Sequence, residues 1–153
     1  MAKRFLFRLE PVLRIRLQEA DQAKRVVAES LRTISKVQRE IGLLQNRIDQ
    51  QVAAMRAGPL VGALDVGQVS RHRHWLSHLQ RGVLDAMARV RQLQAQLARE
   101  RALLAEATKK VKVLETLRQK REQRYHYELQ RREAADADEM STQRYLRLRM
   151  VET

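Results

Sequence analysis

From Leu13 onward the chain repeats at alternating gaps of four and three residues for about six heptads without a slip: Leu13, Leu17, Ala20, Lys24, Val27, Leu31, Ile34, Gln38, Ile41, Gln45, Ile48, Val52 and Met55. Ten of these thirteen are apolar. A helix lying on a globular core seldom keeps such a repeat for so long, because 3.6 residues per turn drifts off a seven-residue period; a sustained heptad asks for a partner helix along its whole length. Lys24, Gln38 and Gln45 interrupt this seam. Polar residues on a seam either snorkel their heads to water or fix register at some cost in stability.

The repeat stops at Arg56-Ala57-Gly58-Pro59-Leu60-Val61-Gly62-Ala63-Leu64-Asp65-Val66-Gly67, which holds three of the chain's five glycines and one of its two prolines. Glycine permits backbone angles that end a helix and proline withholds a helical hydrogen bond, so this is a turn. Its apolar content suggests a tip packed on itself or on a partner. The repeat then resumes at Val69, His72, Leu76, Leu79, Val83, Ala86, Val90, Leu93, Leu97, Glu100, Leu104, Ala107, Val111 and Leu114. The two runs are each about 65 to 70 Å at ~1.5 Å per residue, and equal runs about a short connection fold back antiparallel. The expected fold is therefore all-α: a long antiparallel two-helix coiled-coil hairpin with a C-terminal helical overhang. Residues 1–153 form a single coiled-coil domain, with helix 1 at about 8–56, a tip loop at about 57–67, helix 2 at about 68–136 and a frayed tail at about 137–153.

Folding about Gly62 sets Leu13 close to Val111 and residues 4–12 beside roughly 112–120, and leaves everything past about 120 without a partner. From Arg118 to Arg132 the chain is highly charged, and Tyr125, Tyr127 and Leu129 leave the seam. It turns acidic at Glu133, Asp136, Asp138 and Glu139, then basic and apolar from Arg144. Such overhangs commonly order on binding.

Composition excludes several classes of function. There is no cysteine, hence no disulfide or thiolate chemistry, and no apolar run approaches the ~18 residues that span a bilayer. Met1-Ala2-Lys3-Arg4-Phe5-Leu6-Phe7-Arg8 opens like a signal peptide, but Arg8, Glu10, Arg14 and Arg16 interrupt any apolar core. A cytoplasmic protein is the simplest reading. The net charge of +13 draws anionic partners.

No constellation points to an enzyme. His74 and His78 share a helix face, but no Cys or carboxylate is close and Arg71 and Arg73 repel a cation, so no metal site is expected. Glu115 with Glu122, or Asp138 with Glu139, would have no pocket to desolvate them on a two-helix rod. No cofactor is expected. The basic stretches Arg89-Arg91-Arg99-Arg101 and Lys109-Lys110-Lys112-Arg118-Lys120-Arg121-Arg124 could track phosphates, making a nucleic-acid-binding basic rod the alternative. Being spread out and interrupted by acids, they read better as a solvated face with pairs such as Glu106 to Lys110. Trp75, the only tryptophan, sits beside Leu76 and Leu79 and serves either as packing for the tip or as an exposed interface anchor. A homodimer without fold-back is a third reading.

Two stretches together resemble the FliJ family, a coiled-coil component of the bacterial flagellar type III export apparatus. The first is Phe5-Leu6-Phe7-Arg8-Leu9-Glu10-Pro11-Val12-Leu13-Arg14-Ile15-Arg16, like the family's F-x-F-x-L-E-x-V-L-x-x-R; the second is Lys112-Val113-Leu114-Glu115-Thr116-Leu117-Arg118, followed by Glu133 and Asp138-Glu139. The resemblance covers nearly the whole chain and implies a non-enzymatic central stalk. Its partners would be the export ATPase hexamer, the cytoplasmic domain of the export gate membrane protein, and export chaperones. It implies a cytoplasmic location peripherally associated with the inner membrane; no integral membrane segment is expected from the short apolar runs, and no nucleic acid from the spread basic residues. Carried onto this chain, gate contacts align with Ile41, Leu44, Ile48, Trp75 and Leu79, of which Ile41, Ile48 and Leu79 also lie on the seam; contacts to the ATPase ring fall on Phe5, Phe7, Arg8, Leu117, Arg121 and Arg124. Injectisome stalks share the shape, so the equivalent part of a virulence-type system is a further alternative.

Overall fold

A computed structural model describes residues 4–58 and 65–151. Two helices pack against each other, α1 over Glu10–Ala57 and α2 over Val66–Val151, and there is no strand among the described residues. The all-α two-helix hairpin expected from the paired heptads is the fold observed. The expectation that the apolar tip packs on itself or on a partner falls largely on residues 59–64, outside the described residues.

Local chemistry accounts for where the helices begin and end. The Glu10 N–H donates to the Phe7 carbonyl at 3.1 Å and the Leu13 N–H to that of Leu9 at 2.9 Å, while Pro11 falls in the first turn, where no amide partner is needed. At the start of α2, Asp65 caps the helix: its Oδ1 accepts from the Gly67 and Gln68 amides at 3.0 and 3.3 Å, and its carbonyl accepts from Val69 at 3.1 Å. That cap starts α2 at Val66, two residues before the expected start. At its other limit the helix continues to Val151, past the fraying expected from about 137. Residues 133–150 contain neither glycine nor proline, so nothing local breaks the backbone.

The packing divides into two units, Ala20–Glu106 and Met1–Glu19 with Ala107–Thr153. In the first, Val37, Ala86 and Val90 form a buried cluster with Ile41 and Leu93 against it, and Ala86 is wholly inaccessible. Leu44 lies against Gly82, whose missing Cβ would sit 3.5 Å from Leu44 Cδ1. The α2 seam is the expected one: Leu79, Val83, Ala86, Val90 and Leu97 are buried and Leu76, Leu93, Glu100 and Leu104 half-buried.

On α1 every second expected position is displaced by one residue. Ala20, Val27, Ile34, Ile41 and Ile48 face α2 as expected, but the positions between them are Ala23, Ser30, Val37, Leu44 and Gln51. Lys24, Gln38 and Gln45 are exposed and leave the seam altogether, and Leu31 lies 41% exposed at its edge. The cause is the depth of packing available: Val37 seats among Ala86 and Val90, and Leu44 over Gly82, whereas the neighbouring track offers glutamines at two of its positions. Ser30 is the buried polar side chain of the described core.

In the second unit, Phe7, Leu13 and Val111 are buried, with Leu114, Leu117, Glu122, Tyr125 and Leu129 half-buried. Glu10 pairs with Arg118 at 3.4 Å, and Phe5 meets Tyr125 with ring centroids 5.7 Å apart. Partnered chain therefore extends past the expected limit near residue 120, to Leu129. From Gln130 to Met150 every residue is exposed, and this stretch is the overhang.

Candidate partner-binding surfaces

The residues aligned with a gate contact all fall in the Ala20–Glu106 unit but not on one accessible surface. Leu79 is 2% exposed and Ile41 packs on the Val37 cluster, so both are seam residues with little side chain to offer a partner. Leu44 and Ile48 are half-buried, Leu44 serving as the knob over Gly82. Trp75 differs: it is 47% exposed, its ring stacked at 5.6 Å on His78, one turn further along α2. Stacking on an i+3 neighbour holds an indole in place at small entropic cost, which suits an anchor at an interface. Nearby, Gln51 and His72 are in contact across the two helices. His72 thus belongs to the packing of the pair, and among the described residues no three His, Cys, Asp or Glu side chains converge as metal ligands would.

The residues aligned with the ATPase ring fall in the other unit, where the contacts tie the N-terminal segment to α2. Phe7 is buried, and the Arg121 guanidinium lies over its ring at 5.8 Å, a cation–π arrangement that leaves the charge outward. Phe5 is half-buried against Tyr125, and Arg8 and Arg124 are exposed. Leu117 lines a shallow groove with Val113, Thr116 and three lysines, Lys109, Lys112 and Lys120. Phe5 and Phe7 are thereby brought to Tyr125 and Arg121, far away in sequence, while the groove at Leu117 is lined by α2 alone.

Sequence reasoning missed Tyr125 here, and it missed Arg118 as the partner of the motif residue Glu10. The seam continued past Leu114 by gaps of four, three and four residues reaches Tyr125, which set against the Phe5 and Phe7 pair is the aromatic partner. Among the described residues no helix is long and apolar enough to cross a membrane.

These features define a class: an all-α coiled-coil pair with partly exposed aromatic side chains in each of its two units. Within that class, the family model described as "Flagellar FliJ protein" matches residues 5–149. The chain belongs to the FliJ family, a non-catalytic structural component related to flagellar protein export. No curated protein and no solved structure matches it. The family match is to the flagellar system.

Proposed function

We propose that this protein is the non-enzymatic central stalk of a flagellar type III export apparatus, joining the export ATPase ring to the cytoplasmic domain of the export gate and also binding export chaperones. It acts in the cytoplasm, held peripherally at the inner membrane through the gate. The observation that carries the reading is the Phe5, Phe7, Arg121 and Tyr125 cluster, which with the Glu10–Arg118 ion pair ties the N-terminal motif to α2 at and just after the second motif. Its aromatic residues support a hydrophobic contact, and Arg8, Arg121 and Arg124 around them suit an acidic ring interior, where complementary charge sets register and encounter rate. Trp75 is the gate anchor; Ile41, Ile48 and Leu79 shape the helix pair that presents it, and Leu44 fixes the local spacing.

A pull-down with the cognate ATPase and, separately, with the gate domain tests this. The full chain is expected to recover both. Arg121→Glu with Arg124→Glu should lose the ATPase and keep the gate domain; recovery of neither partner by the unmodified chain overturns the reading.

A further inference from the structure

The overhang of α2 carries a pattern that the stalk reading does not use. One helical face presents Ala134, Ala137, Ser141, Tyr145 and Leu148, spaced three, four, four and three residues apart, and all five are exposed. The spacing is the same read in either direction from Ser141, and the side chains are graded: small on the N-terminal side, large on the other. Tyr145 and Leu148 are 61% and 68% exposed, with no described residue covering them. Charge divides at the same residue, with Glu133, Asp136, Asp138 and Glu139 before it and Arg144, Arg147 and Arg149 after it.

We propose that this face binds a second copy of itself, antiparallel, about a two-fold axis through Ser141. In that arrangement Ala134 meets Leu148 of the other copy and Ala137 meets Tyr145, so each large side chain enters the space left by a small one. The acidic half of each helix lies along the basic half of the other, whereas a parallel pair sets like charge against like and large side chain against large. The contact is short and half-electrostatic, hence weak, salt-sensitive and formed at high protein concentration. It leaves Phe5, Phe7, Arg121 and Arg124 uncovered, so it stands apart from the stalk reading and survives or fails independently of it.

The absence of cysteine makes single-cysteine variants of the full chain clean probes. Ser141 is exposed and its Oγ bonds its own helix, at the Ala137 carbonyl, so Ser141→Cys leaves the fold intact. Under mild oxidation Ser141→Cys is expected to form a disulfide dimer, because residue 141 meets its own copy on the axis. Leu148→Cys is expected not to, its copies lying about 21 Å apart at ~1.5 Å per residue, beyond disulfide reach. Mixing Ala134→Cys with Leu148→Cys should give a mixed dimer. In the Ser141→Cys background, Glu133→Arg with Asp138→Arg, or Arg144→Glu with Arg149→Glu, should cut the dimer yield about tenfold, and all four together should restore it. Equal yields from Ser141→Cys and Leu148→Cys, or a Ser141→Cys yield that neither charge reversal changes, overturn the proposal.

Discussion

At the scale of single residues, three positions on the helix pair respond to substitution in ways their burial alone does not suggest. Gly82 faces Leu44, yet a Cβ there would meet Leu44 Cδ1 at 3.5 Å, an ordinary contact at the end of a flexible side chain. Gly82→Ala therefore raises stability by about 0.5–1 kcal/mol, the helix propensity gained, and thermal melting should move upward. Glu100 sits half-buried on the seam, with one carboxylate oxygen accepting from Gln96 at 2.9 Å and the other buried without a partner. Glu100→Leu removes that orphan and continues the apolar line from Leu97, so denaturant unfolding should show a gain of about 1 kcal/mol. Trp75, half-exposed on His78, holds no core together. Trp75→Ala should weaken gate-domain binding at least tenfold while helicity by circular dichroism stays within a few per cent, since a central aromatic anchor contributes about 2 kcal/mol or more; a large loss of helicity would make it a packing residue instead.

At the scale of elements, both helices and their antiparallel sense were legible in the heptads, and the α2 seam was legible residue by residue from Leu76 to Leu114. The α1 seam was half legible. Its apolar stripe is broad enough that Leu17, Leu31 and Val52 compete with Val37 and Leu44 for the second heptad position, and only the depth of the Ala86 and Gly82 sites decides between them. Sequence periodicity carries no information on that depth. The extent of partnered α2 was hidden for a related reason: Tyr125 and Leu129 stand among charges that mask a repeat, and it takes Phe5 to reveal it. Of the candidate site, the FxF motif and Arg121 were legible from their order in the chain and Leu79 from its seam position, whereas the seating of Leu44 over Gly82 shows only in the packed structure. The same division predicts dynamics. Amides of residues 131–150, helical but unpacked, should exchange with solvent orders of magnitude faster than those of Val83–Leu97, because an unpartnered helix of that length is marginal in water. Equal protection in dilute protein would mean that the overhang is packed on something.

At the scale of the whole molecule, the proposed stalk would use distinct residues for distinct partners: Trp75 in the Ala20–Glu106 unit, and Phe5, Phe7 and Arg121 in the other. Neither set shares a residue with the other, as a linking component requires. The net charge of +13 belongs at this scale too, since it favours encounter with acidic partners without selecting among them. Family membership sets the molecule in flagellar export, and the central claim is that it joins two of the machine's proteins at once. The most direct measurement immobilises the gate domain and asks how much export ATPase is retained with and without the full chain. The expected result is retention that depends on the chain, is lost in Trp75→Ala and is lost separately in Arg121→Glu with Arg124→Glu. ATPase that displaces the chain from the gate, or that is never retained although each partner binds the chain alone, would contradict it.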